Sequence, residues 1–176
     1  MINFSQSHFA LFDLPVAFAI DAKLLDTRYR DAVAQYHPDR FATASDSDRR
    51  MSLQATTHIN EAYQTLKSGL ARARYLLKLA DVDTQEETNT AMPMDFLMAQ
   101  MEWREGIADA KASQNLDALE NLASEMRAEM QALESKLATQ IDAQQDYLHA
   151  AMSVRKLRFM EKLDQEIGDA IEAIMY

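Results

Sequence analysis

The chain of 176 residues contains no cysteine and only three glycines and three prolines. Without thiols it forms no disulfide, no thiolate metal site and no cysteine nucleophile, which fits a reducing compartment. So few turn-forming residues disfavour a β-sheet protein, while abundant Ala, Leu, Met, Glu, Gln and Asp favour helices. No apolar run approaches the roughly 18 residues that span a bilayer, and no signal-peptide pattern opens the chain. The sequence therefore predicts a soluble, cytoplasmic, all-α protein that does not bind membranes.

Charge is divided unevenly along the chain. Residues 1–80 carry ten Lys/Arg and eight Asp/Glu, a net of +2, whereas residues 81–176 carry eight Lys/Arg and twenty Asp/Glu, a net of −12. Such asymmetry indicates two modules with different partners. The acidic half argues against nucleic-acid binding, which depends on neutralising phosphates.

The apolar periodicity predicts long helices separated by short connections. Between Asp81 and Pro93 the chain is acidic, Thr-rich and aperiodic, which is typical of a linker. We therefore expect an N-terminal module over residues 1–80, a linker over 81–93 and a C-terminal module over 94–176. The predicted helices cover residues 21–36, 47–67, 70–79, 94–112, 116–141 and 146–175.

The C-terminal module contains three amphipathic stretches whose apolar residues recur mostly at spacings of three and four. In the last two stretches the predicted core positions are Leu116, Leu119, Leu122, Met126, Met130, Leu133, Leu137, Ile141, Leu148, Ala151, Val154, Leu157, Leu163, Ile167, Ile171 and Ile174. Short connections between such helices predict an antiparallel three-helix bundle in a monomeric protein.

The tripeptide His37-Pro38-Asp39 closes the first long predicted helix and opens a polar loop over residues 39–46. Proline ends the helix, and the flanking imidazole and carboxylate then stand at a fixed corner. Basic residues near this corner favour an acidic partner. They are Lys23, Arg28, Arg30 and Arg40. Taken alone, the tripeptide favours an ordinary helix-ending turn with scattered surface charge over a binding site.

Residues 9–77 resemble the J-domain family in the segments FALFDLP, QYHPDRF and INEAYQTL. This resemblance implies a helical hairpin with short flanking helices that engages a DnaK-type ATPase chaperone and stimulates its ATP hydrolysis. The residues to which it assigns that role are His37, Pro38, Asp39, Arg28, Arg30 and Arg40. Asp26 and Asp31 interrupt the basic face, which favours a dedicated chaperone partner.

The C-terminal half resembles the HscB family of J-type co-chaperones in iron–sulfur cluster assembly. The similarity lies in LARARYLLKL, FLMAQMEWRE and VRKLRFMEKL, so that it covers nearly the whole chain. It implies an L-shaped arrangement in which the bundle binds the scaffold protein IscU and the J-domain delivers it to the chaperone HscA. The residues that match the scaffold-binding face are Leu97, Met98, Met101, Glu102, Glu105 and Phe159.

The residues themselves allow two interpretations of this face. Leu97, Met101 and Glu105 follow one another at i, i+4 and i+8, so they share a helix face. Adaptable methionines bordered by carboxylates suit a protein-docking surface. Alternatively, Leu97 and Met101 fill the bundle core, as apolar helical stripes generally do. The family resemblance favours docking.

Other functional classes receive little support. The four histidines are scattered, no catalytic motif occurs, and no metal or cofactor is expected. A bound iron–sulfur cluster would generally need thiolates, so any cluster belongs to a partner. The remaining alternatives are a J-domain co-chaperone for another client and a helical adaptor without chaperone coupling.

Overall fold

The computed structural model describes residues 2–176, which form seven α-helices and no β-strand. The prediction of an all-α fold is confirmed. The helices are α1 (His8–Leu11), α2 (Ala22–Tyr36), α3 (Asp46–Lys67), α4 (Gly69–Leu79), α5 (Met94–Ala112), α6 (Leu116–Ala138) and α7 (Tyr147–Met175). Within these residues no helix has the length and apolar content that a membrane crossing requires.

The chain divides into two compact units. The first unit comprises α1–α4 and ends at Leu79, and the second unit, Ala80–Tyr176, comprises α5–α7 and the segment before them. Both helix starts that flank the tripeptide have side-chain caps: Asp21 accepts from the Leu24 N–H, and Ser45 accepts from the Asp48 N–H. Such caps satisfy backbone donors that the first helical turn leaves unpaired.

In the first unit, α2 and α3 form an antiparallel hairpin whose interface combines apolar and polar contacts. The rings of Tyr29 and Tyr63 stack with centroids 3.9 Å apart. Each hydroxyl donates across the interface, Tyr29 to Asn60 at 2.7 Å and Tyr63 to Asp26 at 2.6 Å. The contacts fix the register of the two helices, because each tyrosine has a polar partner on the opposite helix.

In the second unit, α6 packs along α7 and against α5, and the three helices enclose one apolar core. Its buried residues are Phe96, Ile107, Ala110, Leu119, Ala123, Met126, Met160, Leu163, Ile167 and Ala170. The predicted three-helix bundle is confirmed. Leu148 is an exception among the predicted core residues, since 81% of it is exposed. The buried stripe of α7 runs instead through Ala150, Ala151 and Val154, and Leu148 lies on the other side of the helix.

Two local structures differ from the predicted ones. The stretch expected to be a polar loop after His37 contains a 3₁₀ turn, Pro38–Phe41. The predicted helix over 116–141 leaves α-helical geometry after Ala138 and continues as a π turn, Thr139–Ala143. Hydrophobic periodicity does not distinguish these backbone forms, because segments of four and five residues are too short to reveal a change in period.

Helix ends in this glycine-poor chain use other residues in the left-handed region. After α5, Gln114 has φ 50°, and the next residue donates its N–H back to the Ala110 carbonyl at 2.9 Å. Asp13, Asp81 and Gln145 adopt similar positive φ angles after helical segments. Asp tolerates this conformation better than most residues, and the hydrogen bond to Ala110 helps to hold Gln114 in it.

Candidate functional site

The corner at His37-Pro38-Asp39 begins where α2 ends. His37 has an extended backbone, φ −55° and ψ 132°, as expected for a residue before proline, and Pro38 opens the 3₁₀ turn. The Asp39 N–H donates to His37 Nδ1 at 3.2 Å. The Asp39 side chain is 92% exposed and that of His37 is 48% exposed. The corner therefore presents an imidazole and a carboxylate to solvent.

The Nδ1 atom of His37 has two contacts with Asp39, one to its backbone N–H and one to its carboxylate. His37 Nδ1 also lies 3.6 Å from an Asp39 carboxylate oxygen, a distance compatible with an ion pair. A nitrogen that accepts the Asp39 N–H has no proton of its own to donate to that carboxylate. The contact between Nδ1 and the carboxylate oxygen is therefore proximity, and the backbone hydrogen bond is what positions the imidazole ring.

Two side chains of α3 form hydrogen bonds to the backbone beside the corner. The Tyr36 carbonyl, one residue before His37, accepts from Ser52 Oγ at 2.7 Å and from Thr56 Oγ1 at 3.2 Å. Ser52 is fully buried. These hydroxyls satisfy a carbonyl that the end of α2 leaves without a helical partner. The position of the corner is thus tied to α3.

The predicted basic residues have different surroundings. Arg40 Nη1 donates to the Ala34 carbonyl at 3.2 Å, which places its guanidinium at the C-terminal end of α2. Arg28 lies 3.6 Å from the Asp13 carboxylate, and Arg30 is exposed on α2. A cation at a helix C-terminus is favourable because unpaired carbonyls point there. Arg40 therefore shapes the corner in addition to contributing charge.

Helix α5 is apolar on two opposite sides. One side is buried in the bundle and includes Phe96 and Ile107. The other side is exposed at Met94 (72%), Leu97 (37%), Met98 (57%) and Met101 (72%). We call these four exposed residues the α5 face. The interpretation in which Leu97 and Met101 fill the bundle core is wrong.

Polar and aromatic groups border the α5 face. Glu102 and Glu105 are exposed on the same helix. Phe159 of α7 is partly buried and packs edge-to-face on Phe96, with ring centroids 6.0 Å apart. The Arg104 guanidinium lies 5.2 Å from the centre of the Phe159 ring. Leu97 and Phe159 line one cleft, so the fold brings these two predicted residues together from different helices.

Comparison with known proteins agrees with this architecture. The family model described as the HSCB C-terminal oligomerisation domain matches residues 92–168. A curated relative, the co-chaperone protein HscB homolog of Chromobacterium violaceum, is 60% identical over 98% of both chains. The chain belongs to the HscB co-chaperone family. The Burkholderia cenocepacia HscB homolog is 48% identical over 99% of both chains.

Solved HscB structures show the same fold. Chaperone HscB from Vibrio cholerae matches with a TM-score of 0.84 and 37% identity, over 96% of this chain and 99% of that one. Human co-chaperone HscB matches with a TM-score of 0.88 and 28% identity, over 95% of this chain and 83% of that one. The first unit is therefore an HscB-type J-domain, and the second is the helical bundle of that family.

Sequence reasoning missed several residues beside the predicted face. Met94 extends the α5 face by one turn, and its spacing of four from Met98 was a usable indication. On α7, Arg155, Arg158 and Lys162 line the cleft that contains Leu97 and Phe159. Their clustering in the segment RKLRFMEK was visible in the sequence, but their position beside α5 was not.

The segment 81–93 lies against α7 in the second unit. Arg155 Nη1 donates to the Thr84 carbonyl at 2.9 Å, and Arg158 forms an ion pair with Glu87. Thr84 is buried. The stretch that reads as a linker thus also forms one wall of the cleft.

Proposed function

We propose that this co-chaperone acts in the cytoplasm as a two-ended adaptor between a client and a chaperone. The α5 face and Phe159 bind the iron–sulfur scaffold protein IscU, with Glu102 and Glu105 at the border. The corner at His37-Pro38-Asp39, with Arg28, Arg30 and Arg40, engages the DnaK-type chaperone HscA and stimulates its ATP hydrolysis. The chain itself holds no cluster and catalyses no reaction.

The observation that carries this proposal is the second apolar side of α5. The bundle core already occupies the side that contains Phe96 and Ile107, and the exposed leucine and methionines lie outside that core. Leaving large apolar side chains in water forfeits the free energy that their burial would provide. A contiguous apolar patch with carboxylates at its edge is typical of a protein-docking surface.

The J-domain corner supports the chaperone end of the proposal. Its imidazole and carboxylate are exposed, while the backbone beneath them is fixed by Ser52 and Thr56. A partner therefore meets these polar groups in a preset geometry and loses little conformational entropy in ordering them.

ATP turnover by HscA tests the chaperone end. Adding the wild-type protein should raise turnover, adding IscU should raise it further, and His37→Gln should return it to the basal rate of HscA. His149→Gln is the matched control, because His149 is also exposed beside an aspartate but belongs to the second unit. Full stimulation by a folded His37→Gln variant would refute the mechanism. If the wild-type protein did not stimulate HscA, the alternative function, a helical adaptor without chaperone coupling, would be supported instead.

Titration calorimetry with IscU tests the client end. The variant Leu97→Ala/Met101→Ala/Phe159→Ala should bind roughly thirtyfold or more weakly, because truncating interface anchors costs about 2 kcal/mol or more. A matched control is Leu53→Ala/Leu148→Ala/Met175→Ala, which removes exposed apolar groups elsewhere. Circular dichroism should show equal helicity in both variants. Unchanged affinity in the first variant would refute the proposed face, and stimulation of HscA without IscU binding would indicate another client.

A second copy of this chain is the alternative occupant of the α5 face, since the matching family model is described as an oligomerisation domain. We propose that the chain is monomeric, because α5, α6 and α7 already bury their core stripes against one another. Sedimentation velocity distinguishes the two. A dimer that the Leu97/Met101/Phe159 variant dissociates would reassign the face to self-association.

A further inference from the structure

A cleft lies beside the α5 face, between α7 and the segment 81–93. Its apolar wall includes Leu97 and Phe159, which also belong to the proposed scaffold-binding surface. Its polar wall includes three cations, Arg155, Arg158 and Lys162. The cleft and the α5 face are therefore continuous, and a protein docked on the face also covers the cleft mouth.

Basic residues are concentrated around this cleft, although the second half of the chain is acidic as a whole. Residues 81–176 carry a net charge of −12 with only eight Lys/Arg. Four of those eight lie within one stretch of α7, residues 155–162, and a fifth, Arg104, lies over the Phe159 ring. Glu86 and Glu87 also line the cleft, so the formal charge of its lining is +1. In so acidic a half, this is a distinct positive site.

Arg155 is buried in the wall of this cleft. It is 8% exposed, and although its Nη1 donates to the Thr84 carbonyl, its buried Nε has no hydrogen-bond partner among the residues that the structure describes. An unpaired buried donor on a charged group is costly, because it has lost water without gaining an acceptor. Arg155 therefore contributes positive charge to the cleft from a fixed position, while Arg158 and Lys162 are the cations that an incoming carboxylate contacts.

We propose that this cleft binds a side-chain carboxylate, from Asp or Glu, of the protein that docks on the α5 face. The inference rests on the proposed function, since it assigns a second contact to the same docked partner. A carboxylate suits the site because it accepts several charge-assisted hydrogen bonds at once from guanidinium and ammonium groups. The apolar wall then packs against the methylene groups of the same side chain.

The cleft also gives the docking surface a direction. Gln100 lines the cleft on one flank of α5, whereas Glu102 lies on the opposite flank, since consecutive helical residues are about 100° apart. A partner therefore meets a net positive edge on one side of the apolar face and the Glu102 carboxylate on the other. Charge complementarity of this kind determines orientation and excludes reversed docking.

The variant Arg158→Gln/Lys162→Gln tests the site. Arg155 stays, because its buried side chain holds the segment 81–93 through the buried Thr84, whereas the Arg158 ion pair with Glu87 involves a carboxylate that is 80% exposed. Calorimetry with IscU should show roughly five- to tenfold weaker binding for this variant, the sum of two partly solvated charge contacts. The matched control is Lys111→Gln/Arg127→Gln. It also removes two cations, which pair with Glu166 and Asp164 outside the cleft, and it should bind like wild type.

A scan of IscU carboxylates completes the test. We expect one Asp→Asn or Glu→Gln change in IscU to weaken binding to the wild-type protein and to have no further effect with the Arg158/Lys162 variant. The difference between variant and wild type should also shrink at about 0.5 M salt, where screening is strong.

Two results would overturn the inference. The first is equal affinity of the cleft and control variants for IscU. The second is an equal loss of affinity for every carboxylate change in IscU, which would mean that the cleft attracts negative charge in general and binds no particular carboxylate. Either result leaves the proposed function intact, provided that the Leu97/Met101/Phe159 variant still loses binding. If that variant binds like wild type, the docking face itself is wrong.

Discussion

The two candidate binding surfaces present opposite chemistry by different structural means. The J-domain corner is polar, and its geometry depends on a neighbouring helix, because Ser52 and Thr56 of α3 hold the Tyr36 carbonyl. The α5 face is apolar, and its exposure depends on the bundle burying only the other side of α5. A polar site thus needs precise local support, whereas an apolar site needs a stable core behind it.

The largest effect that separates the two sides of α5 is a loss of stability. Ile107→Ala, on the buried side, should lower the free energy of unfolding of the second unit by about 2–5 kcal/mol, because it leaves a cavity. Met101→Ala, on the exposed side, should change it by under about 0.5 kcal/mol. Urea unfolding followed by Trp103 fluorescence measures both. Similar losses in the two variants would mean that α5 does not have distinct core and docking sides.

A smaller effect concerns the support of the J-domain corner. Ser52→Ala/Thr56→Val leaves the Tyr36 carbonyl without these two donors and should cost about 1–3 kcal/mol in the free energy of unfolding of the first unit. Stimulation of HscA should fall while IscU affinity stays unchanged. Thr57→Val is the control, because the exposed Thr57 hydroxyl donates to the Leu53 carbonyl of the same helix. A stable variant with full stimulation would show that the corner needs no support from α3.

The smallest expected effect is an acid sensitivity specific to the first unit. Burial lowers the pKa of His8 below 6.5, and the neighbouring His58 lowers it further, while Glu61 opposes the shift and Lys78 adds to it. His8 also stacks on Tyr75 with ring centroids 4.4 Å apart. The unfolded chain then takes up a proton near pH 6.5 that the folded chain binds only at lower pH, so stability falls as the pH drops through that range.

Hydrogen exchange of α3 amides at pH 7 and pH 5.5, corrected for intrinsic rates, measures this sensitivity. His8→Phe keeps a ring against Tyr75 but cannot titrate, so its protection should depend less on pH. An identical pH dependence in wild type and variant would assign the effect to another group.

Sequence patterns predicted most helix boundaries because caps and breakers act locally. Asp21 and Pro38 bracket α2 through contacts within a few residues, and both boundaries agree with the structure. Leu148 was misplaced because α7 carries apolar residues at more than one angle, and spacing does not tell which angle faces α6. The same limit applies to α5, where both sides carry apolar residues at helical spacing.

The predicted site residues also divide into those that local sequence determines and those that tertiary packing brings together. The tripeptide at His37 is contiguous, so its exposure at a helix end follows from proline chemistry. Phe159 and Leu97 are 62 positions apart in sequence, and only the family resemblance connected them before the fold placed both in one cleft. The cations that share that cleft were missed for the same reason.

The sequence by itself determined the helical class, the corner and the acidic character of the second half, because composition, capping and proline act over a few residues. Tertiary structure decided which side of α5 is buried, that Ser52 binds the Tyr36 carbonyl beside the corner, and that the basic stretch of α7 borders the α5 face. These depend on how helices distant in sequence pack, and packing is fixed by the whole core at once.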